Sequence, residues 1–205
     1  VPQRDMPINE YKGNFKGVLS FVGVDQDSGE MDLSFQIMMP GFDYDKAHPG
    51  RGKSHGWMFF STYNVEESHT LLEVNASQRD KDFIAAVNWK KAEEYIKAGK
   101  FSTMKTKYAH NVYDEHTQMA TTTMESEVRI LDPSELPGLV YFLPMPKSPH
   151  GCDVDPSGEY IVGSGKLSAN VTIHSFTKMI DAIENKKFDG EAYGIPIINF
   201  EDALA

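Results

Sequence analysis

Hydrophobic and polar residues alternate in two neighbouring stretches near the start of the chain. Gly17–Val24 reads GVLSFVGV and Met31–Ile37 reads MDLSFQI, with the turn-forming DQDSG close behind the first. A period of two on both sides of turn chemistry predicts a β-hairpin. Trp57–Tyr63, WMFFSTY, is a nearly continuous apolar run and predicts a buried strand. Shorter strands are expected at 70–74, 83–87, 127–131, 139–143, 152–154, 160–163 and 170–175. The period changes to that of a helix in Asn88–Lys97, where Trp89, Ala92, Tyr95 and Ile96 share a stripe and Gly99 is a stop signal. Thr177–Lys186, TKMIDAIENK, is the second amphipathic helix. Residues 39–53 are dense in Gly, Pro and Asp and predict a loop. Residues 101–127 are polar with poor periodicity and predict loop with weak strand character.

Many short strands, turn signals about every ten residues and two short helices in loop insertions point to an all-β architecture. An antiparallel sandwich or propeller is favoured over a doubly wound α/β sheet. Gly151–Ser175 carries strand, Asp-Pro-Ser-Gly turn, strand, loop and strand, which looks like most of one propeller blade. A chain of 205 residues has room for three or four blades, too few to close a ring. An open partial propeller leaves edge strands exposed, so further chain is expected to complete it. The opening Val1-Pro2-Gln3-Arg4, with no initiator Met and no apolar segment behind it, implies either that processing removed the start or that the sequence is an excerpt.

Composition narrows the function classes. The formal net charge is −10, and the basic clusters at Lys97–Lys107 and Lys186-Lys187 stand among acids. A nucleic-acid surface needs Lys and Arg gathered on one face, so no nucleic-acid partner is expected. No apolar run approaches the ~20 residues of a membrane helix, and no membrane span is expected. The single cysteine, Cys152, excludes an internal disulfide framework and a Cys-only zinc or iron–sulfur site.

Two constellations carry candidate chemistry. His150 stands between Pro149, which fixes the chain's entry, and Gly151, which lets another group approach the backbone. Imidazole suits copper and zinc. His150 can therefore be a ligand or a packed core histidine, and Cys152, two residues on, a metal partner or a buried apolar side chain. The second constellation is Tyr63-Asn64-Val65-Glu66 followed by Val74, Asp80 and Asp82. Carboxylates and carbonyls gathered from a strand end and the following loop suit a hard cation such as calcium, although solvated acids give the same pattern. No H-x-x-H, H-E-x-x-H or Rossmann G-x-G-x-x-G pattern is present.

These stretches resemble a known family. YFLPMPKSPHGCDVDPSGEYIVGSGKLSANVTIHSF resembles the propeller segment of nitrous oxide reductase, and FFSTYNVEESHTLLEVNASQRDKDFIAAVNWKKAEEYIKAGK the stretch preceding it in that family. The resemblance runs from the Gly17 hairpin to the C-terminus and implies about a third of a full family member, in a divergent Bacteroidetes-like branch. It implies a fragment of a seven-bladed β-propeller, with residues 1–205 forming the central part of an N-terminal propeller domain and a C-terminal cupredoxin domain lying outside this chain. It implies a periplasmic homodimer that takes electrons from a small donor protein such as a cytochrome c or a cupredoxin. The family reduces N2O to N2 and water at a copper–sulfide cluster ligated by histidines, and its cupredoxin domain holds a two-copper centre.

Carried over residue by residue, the Pro-His-Gly motif makes His150 a copper-cluster ligand. The Tyr-x-x-Glu motif and its continuation make Tyr63, Glu66, the Val74 carbonyl and Asp80 calcium ligands, with Asp82 replacing Asp80 if the loop is spaced differently. Ser148 stands where the family has Asn, and Val74 where one branch has Met. His48, His55, His69, His110, His116 and His174 do not stand in family motifs. The paired histidines, the later cluster histidines and the cupredoxin ligands of the family have no counterpart here. The alternative from another functional class is a non-catalytic, calcium-stapled propeller that binds a protein or solute, since the fold serves both.

Overall fold

The computed structural model describes residues 16–23, 33–40, 42–65, 82–112, 120–145, 149–165 and 169–205. Among them, thirteen strands form three sheets that do not close into a barrel. The central sheet has the order β12-β13-β8-β5-β4-β3, built from Phe188–Ala192, Ile195–Ile198, Val140–Met145, Asp82–Asn88, Trp57–Val65 and Phe42–Pro49. A second sheet, β1-β2-β7-β6, comprises Lys16–Gly23, Leu33–Pro40, Ala120–Leu131 and Ser102–Val112. The third is a meander of β9 (Pro149–Val154), β10 (Tyr160–Gly165) and β11 (Val171–Ser175). This open, propeller-like stack of sheets is the all-β architecture the strand pattern predicts.

The central sheet is buried on both faces, and strand alternation shows how. On β5, Phe83, Ala85 and Val87 join Ile37, Leu131, Ala92 and Ile96 in one core. Ile84 and Ala86 point the other way, into a second core with Trp57, Phe59, Leu143, Cys152, Val154 and Ile161. Period-two alternation sends successive side chains to opposite faces, so a strand apolar at every position can only be central. Phe83 and Phe142 stack at 4.9 Å within the first core.

Helix α1 (Trp89–Lys97) starts where the Asn88 side chain accepts from Lys91 N at 3.0 Å, and it buries Ala92 and Ile96. Helix α2 (Phe176–Glu184) is capped by Ser175, whose hydroxyl accepts from Lys178 N, and it buries Phe176, Met179 and Ala182. Both correspond to the amphipathic stripes seen in the sequence. A four-residue helix α3, Phe200–Ala203, was not expected.

Three expectations are corrected. Residues 39–53 are not all loop: β3 (Phe42–Pro49) pairs antiparallel with β4 through two register shifts. It is an edge strand carrying Asp, Lys and Pro, which blunt an edge but hide the strand pattern. Residues 102–112 and 120–131 form a long antiparallel ladder, running from Ser102↔Ile130 to Val112↔Ala120. Backbone ladders need no apolar face, and β-branched Thr121-Thr122-Thr123 suit a pleat, so poor periodicity concealed them. The sheets are also not purely antiparallel, since β2 runs parallel to β7 and β13 to β8. The strand expected at 70–74 lies outside the described residues.

Candidate metal centre

The Pro-His-Gly motif sits on β9, and β9 belongs to two neighbourhoods. Within its own sheet it pairs antiparallel with β10: Val154↔Ile161, Asp153↔Val162 and Cys152↔Gly163. The register then slips, and the next pair is Pro149↔Gly165. His150 and Gly151 together therefore face the single residue Ser164, which is a β-bulge. Gly151 has φ +115°, a backbone state that L-residues with a side chain rarely adopt, so the glycine is what permits the bulge. Bulges recur beside functional sites because they redirect one residue out of the regular ladder.

The second neighbourhood is the face of the central sheet. β9 lies against β3 and β4. The Cys152 thiol donates to the Phe59 carbonyl at 3.3 Å, and the Gly151 amide donates to the Ser61 hydroxyl at 3.2 Å. As β9 steps back from Cys152 to Gly151, β4 steps forward from Phe59 to Ser61. The two strands thus run antiparallel across the sheet-to-sheet junction. Back past Gly151, β9 runs in the direction of the end of β4 that holds Tyr63. The strands that carry the Pro-His-Gly motif and Tyr63 are thus joined by a hydrogen bond between Gly151 and Ser61, although 87 positions in the chain separate Tyr63 from His150.

Asp82 is at the same end of the central sheet. It begins β5 opposite Met145 of β8, is fully buried, and lies two residues before Ile84, on the face that the meander covers. A carboxylate taken out of water must be hydrogen-bonded, paired with a cation or neutralised. Beside Asp82, Thr62 replaces a rung of the β4–β5 ladder: its hydroxyl accepts from Phe83 N at 3.0 Å and donates to Phe83 O at 2.8 Å. Ser61 was marked in the sequence by its place beside Thr62 in an apolar run, a signal that motif matching passed over. Two hydroxyls interrupt an otherwise aromatic, buried strand, and both are fully buried.

Cys152 is a core residue, 2 % exposed, and its thiol is engaged with Phe59. Of the two roles open to it in the sequence, burial and this bond favour packing. A thiol reagent should leave it unmodified in the native protein and label it stoichiometrically only after denaturation; rapid native labelling would contradict this burial.

Of the remaining candidates, Glu66, Val74 and Asp80 lie outside the described residues, while Tyr63 and His150 are placed by their strands. Among the described residues, no three of His, Cys, Asp or Glu gather into a metal-binding group. One imidazole donor cannot hold a multinuclear copper cluster, so the described residues do not assemble one by themselves. They do fit the narrower role of fixing the backbone of one histidine while the other ligands come from elsewhere. No helix among the described residues is long and apolar enough to cross a membrane.

No protein-family model matches the chain. Among curated proteins it is similar to the nitrous-oxide reductase of Pseudomonas fluorescens, with 25% identity over 167 residues, covering 80% of this chain and 22% of that protein. The nitrous-oxide reductase of Stutzerimonas stutzeri is 24% identical over 169 residues, and that of Ralstonia nicotianae 25% over 160. The chain thus spans about a fifth of the length of these relatives. At this level of identity and coverage it is a distant relative of one segment of the nitrous-oxide reductases.

Proposed function

We propose that this chain is a propeller segment of a periplasmic copper enzyme that reduces N2O to N2 and water. The observation that carries the reading is the β-bulge at His150-Gly151, held against the strand that leads into Tyr63-x-x-Glu66. A bulge is a sound way to turn one residue out of a ladder and fix it in place. His150 is then one imidazole ligand of a copper–sulfide cluster, and the remaining ligands come from sequence outside this chain. Tyr63, Glu66, the Val74 carbonyl and Asp80 or Asp82 form the oxygen donor set of a calcium ion beside it.

When bound, the cluster supplies the two electrons that, with two protons, convert N2O to N2 and water. This chain's part is to orient one ligand and to stiffen the corner on which it stands. The rest of the proposed assembly is a homodimer, a cupredoxin domain with a two-copper centre and a small electron-donor protein. These follow from the family resemblance of the sequence rather than from anything in this fold.

The test is His150→Ala in the full-length protein, with copper per polypeptide and N2O turnover measured together. Loss of the cluster copper and of turnover, with the fold and any cupredoxin copper retained, is the expected result. Normal copper and turnover would remove His150 from the ligand set and favour the non-catalytic, calcium-stapled propeller. Calcium should raise the melting temperature by mass action, and Glu66→Gln should abolish that rise. A melting temperature indifferent to calcium and chelator would exclude the calcium site.

A further inference from the structure

We infer that Ser61 is a positioning residue for the candidate copper ligand, acting through the Gly151 amide; this rests on the proposed function above. At the bulge, His150 and Gly151 lose one-to-one pairing with β10, because both stand opposite Ser164. The local ladder therefore no longer fixes the peptide between them. The partner that the structure gives the Gly151 amide is the Ser61 hydroxyl of the central sheet, at 3.2 Å. Ser61 is fully buried and belongs to β4, whose neighbours Trp57 and Phe59 are set in the second core. The anchor is thus rigid and the anchored peptide adjoins His150.

The hydrogen bond crosses between two sheets, so it fixes more than local geometry. It ties the backbone of His150 to the strand that runs two residues further to Tyr63. A shift of that strand is passed to the ligand through one hydroxyl. A buried amide that loses its partner is costly, so the peptide should reorient to find another when the hydroxyl is removed. Reorienting it turns the His150 residue, and metal ligands tolerate little misplacement.

The test uses the full-length protein with Ser61→Ala, Ser61→Thr, His150→Ala and, as a control, Thr62→Val. Thr62 is also buried, but its hydroxyl bonds Phe83 and does not touch β9. Hydrogen exchange of the peptide covering Pro149–Cys152 is read alongside cluster copper and its visible absorption. Ser61→Ala should accelerate Gly151 exchange about tenfold, the loss expected for one buried hydrogen bond, and deplete or spectrally alter the cluster. Ser61→Thr should restore both, and Thr62→Val should leave the cluster normal.

If Ser61→Ala leaves Gly151 exchange unchanged, the anchor is not there and the inference falls. If His150→Ala destroys the cluster while Ser61→Ala leaves its copper and spectrum intact, the ligand assignment stands and the positioning role is wrong. If His150→Ala retains cluster copper, the proposed function fails and this inference fails with it. Equal damage by Thr62→Val would reduce Ser61 to general stability and also overturn it.

Discussion

Gly158→Ala is expected to destabilise the protein by roughly 3–5 kcal/mol, among the larger effects of any single methyl group. Gly158 ends the Asp155-Pro156-Ser157-Gly158 turn between β9 and β10, at φ +76°. A Cβ placed there would overlap the Arg51 carbonyl oxygen and lie 2.6 Å from its carbon and 2.7 Å from Lys53 N. All three are backbone atoms of the connection between β3 and β4, so no side chain can swing aside. The two segments are in backbone contact, with Lys53 N donating to Ser157 O at 3.1 Å.

A suitable control is Gly99→Ala, because Gly99 has a similar φ of +69° and nothing within 4 Å of its would-be Cβ. That variant should lose only about 1–2 kcal/mol, the cost of a left-handed alanine. Chemical denaturation of both variants checks the prediction, and equal losses would show that the contact with Arg51 does not matter. The turn also clamps the end of β9 opposite the bulge. Gly158→Ala should therefore disturb the His150 end as well as the stability.

The second large effect is a loss of roughly 3 kcal/mol between neutral pH and pH 4 that traces to His174. His174 lies on β11 and is fully buried. Its Nε2 donates to the Pro144 carbonyl of β8 at 3.2 Å, since that oxygen can only accept. Phe200 of α3 lies edge-on at 6.1 Å, and Leu204 bridges to His174. Burial pushes the imidazole from an ordinary 6.5 down to about 4, against the smaller opposite pull of the Pro144 and Ala203 carbonyls.

The folded state therefore resists a proton that the unfolded chain accepts. Stability is complete above about pH 6.5, falls as pH drops toward 4, and levels off below that for this group. Asp155 and Glu159 are held below their usual range by hydrogen bonds, from the Tyr160 amide foremost for the first and from the Ser175 hydroxyl for the second. Their contributions have the same sign at lower pH. His174→Gln separates the terms: the variant should lose roughly 2–3 kcal/mol less than the parent between pH 7 and 4.5. Identical pH dependence in the two proteins would remove His174 as the cause.

How legible was all this in the sequence? The β1–β2 hairpin, the double-faced strands β4 and β5, the meander and the two longer helices all carry their periodicity in local residue order. The hairpin register, with Phe21 opposite Phe35, follows directly from the alternation. Asp155 was readable too, because Asp-Pro-Ser-Gly encodes its own turn. Its carboxylate accepts from the amides of Ser157, Glu159 and Tyr160. Strands β3, β6, β12 and β13 were not legible. Each is an edge strand or takes its pairing from a neighbour, and pairing leaves no apolar period.

At the candidate site the division is the same. Residue type and motif singled out His150, Tyr63, Glu66, Val74 and Asp80, because ligand chemistry belongs to side chains and is written in the sequence. The bulge, the antiparallel run of β9 along β4 and the Ser61 hydroxyl under Gly151 came only with the tertiary structure. They depend on which two sheets face each other, and that is set by burying Phe59, Ile84, Cys152 and Ile161 in one shared core. Those residues are far apart in the chain, and their contact follows from excluding water at a junction that no local pattern records.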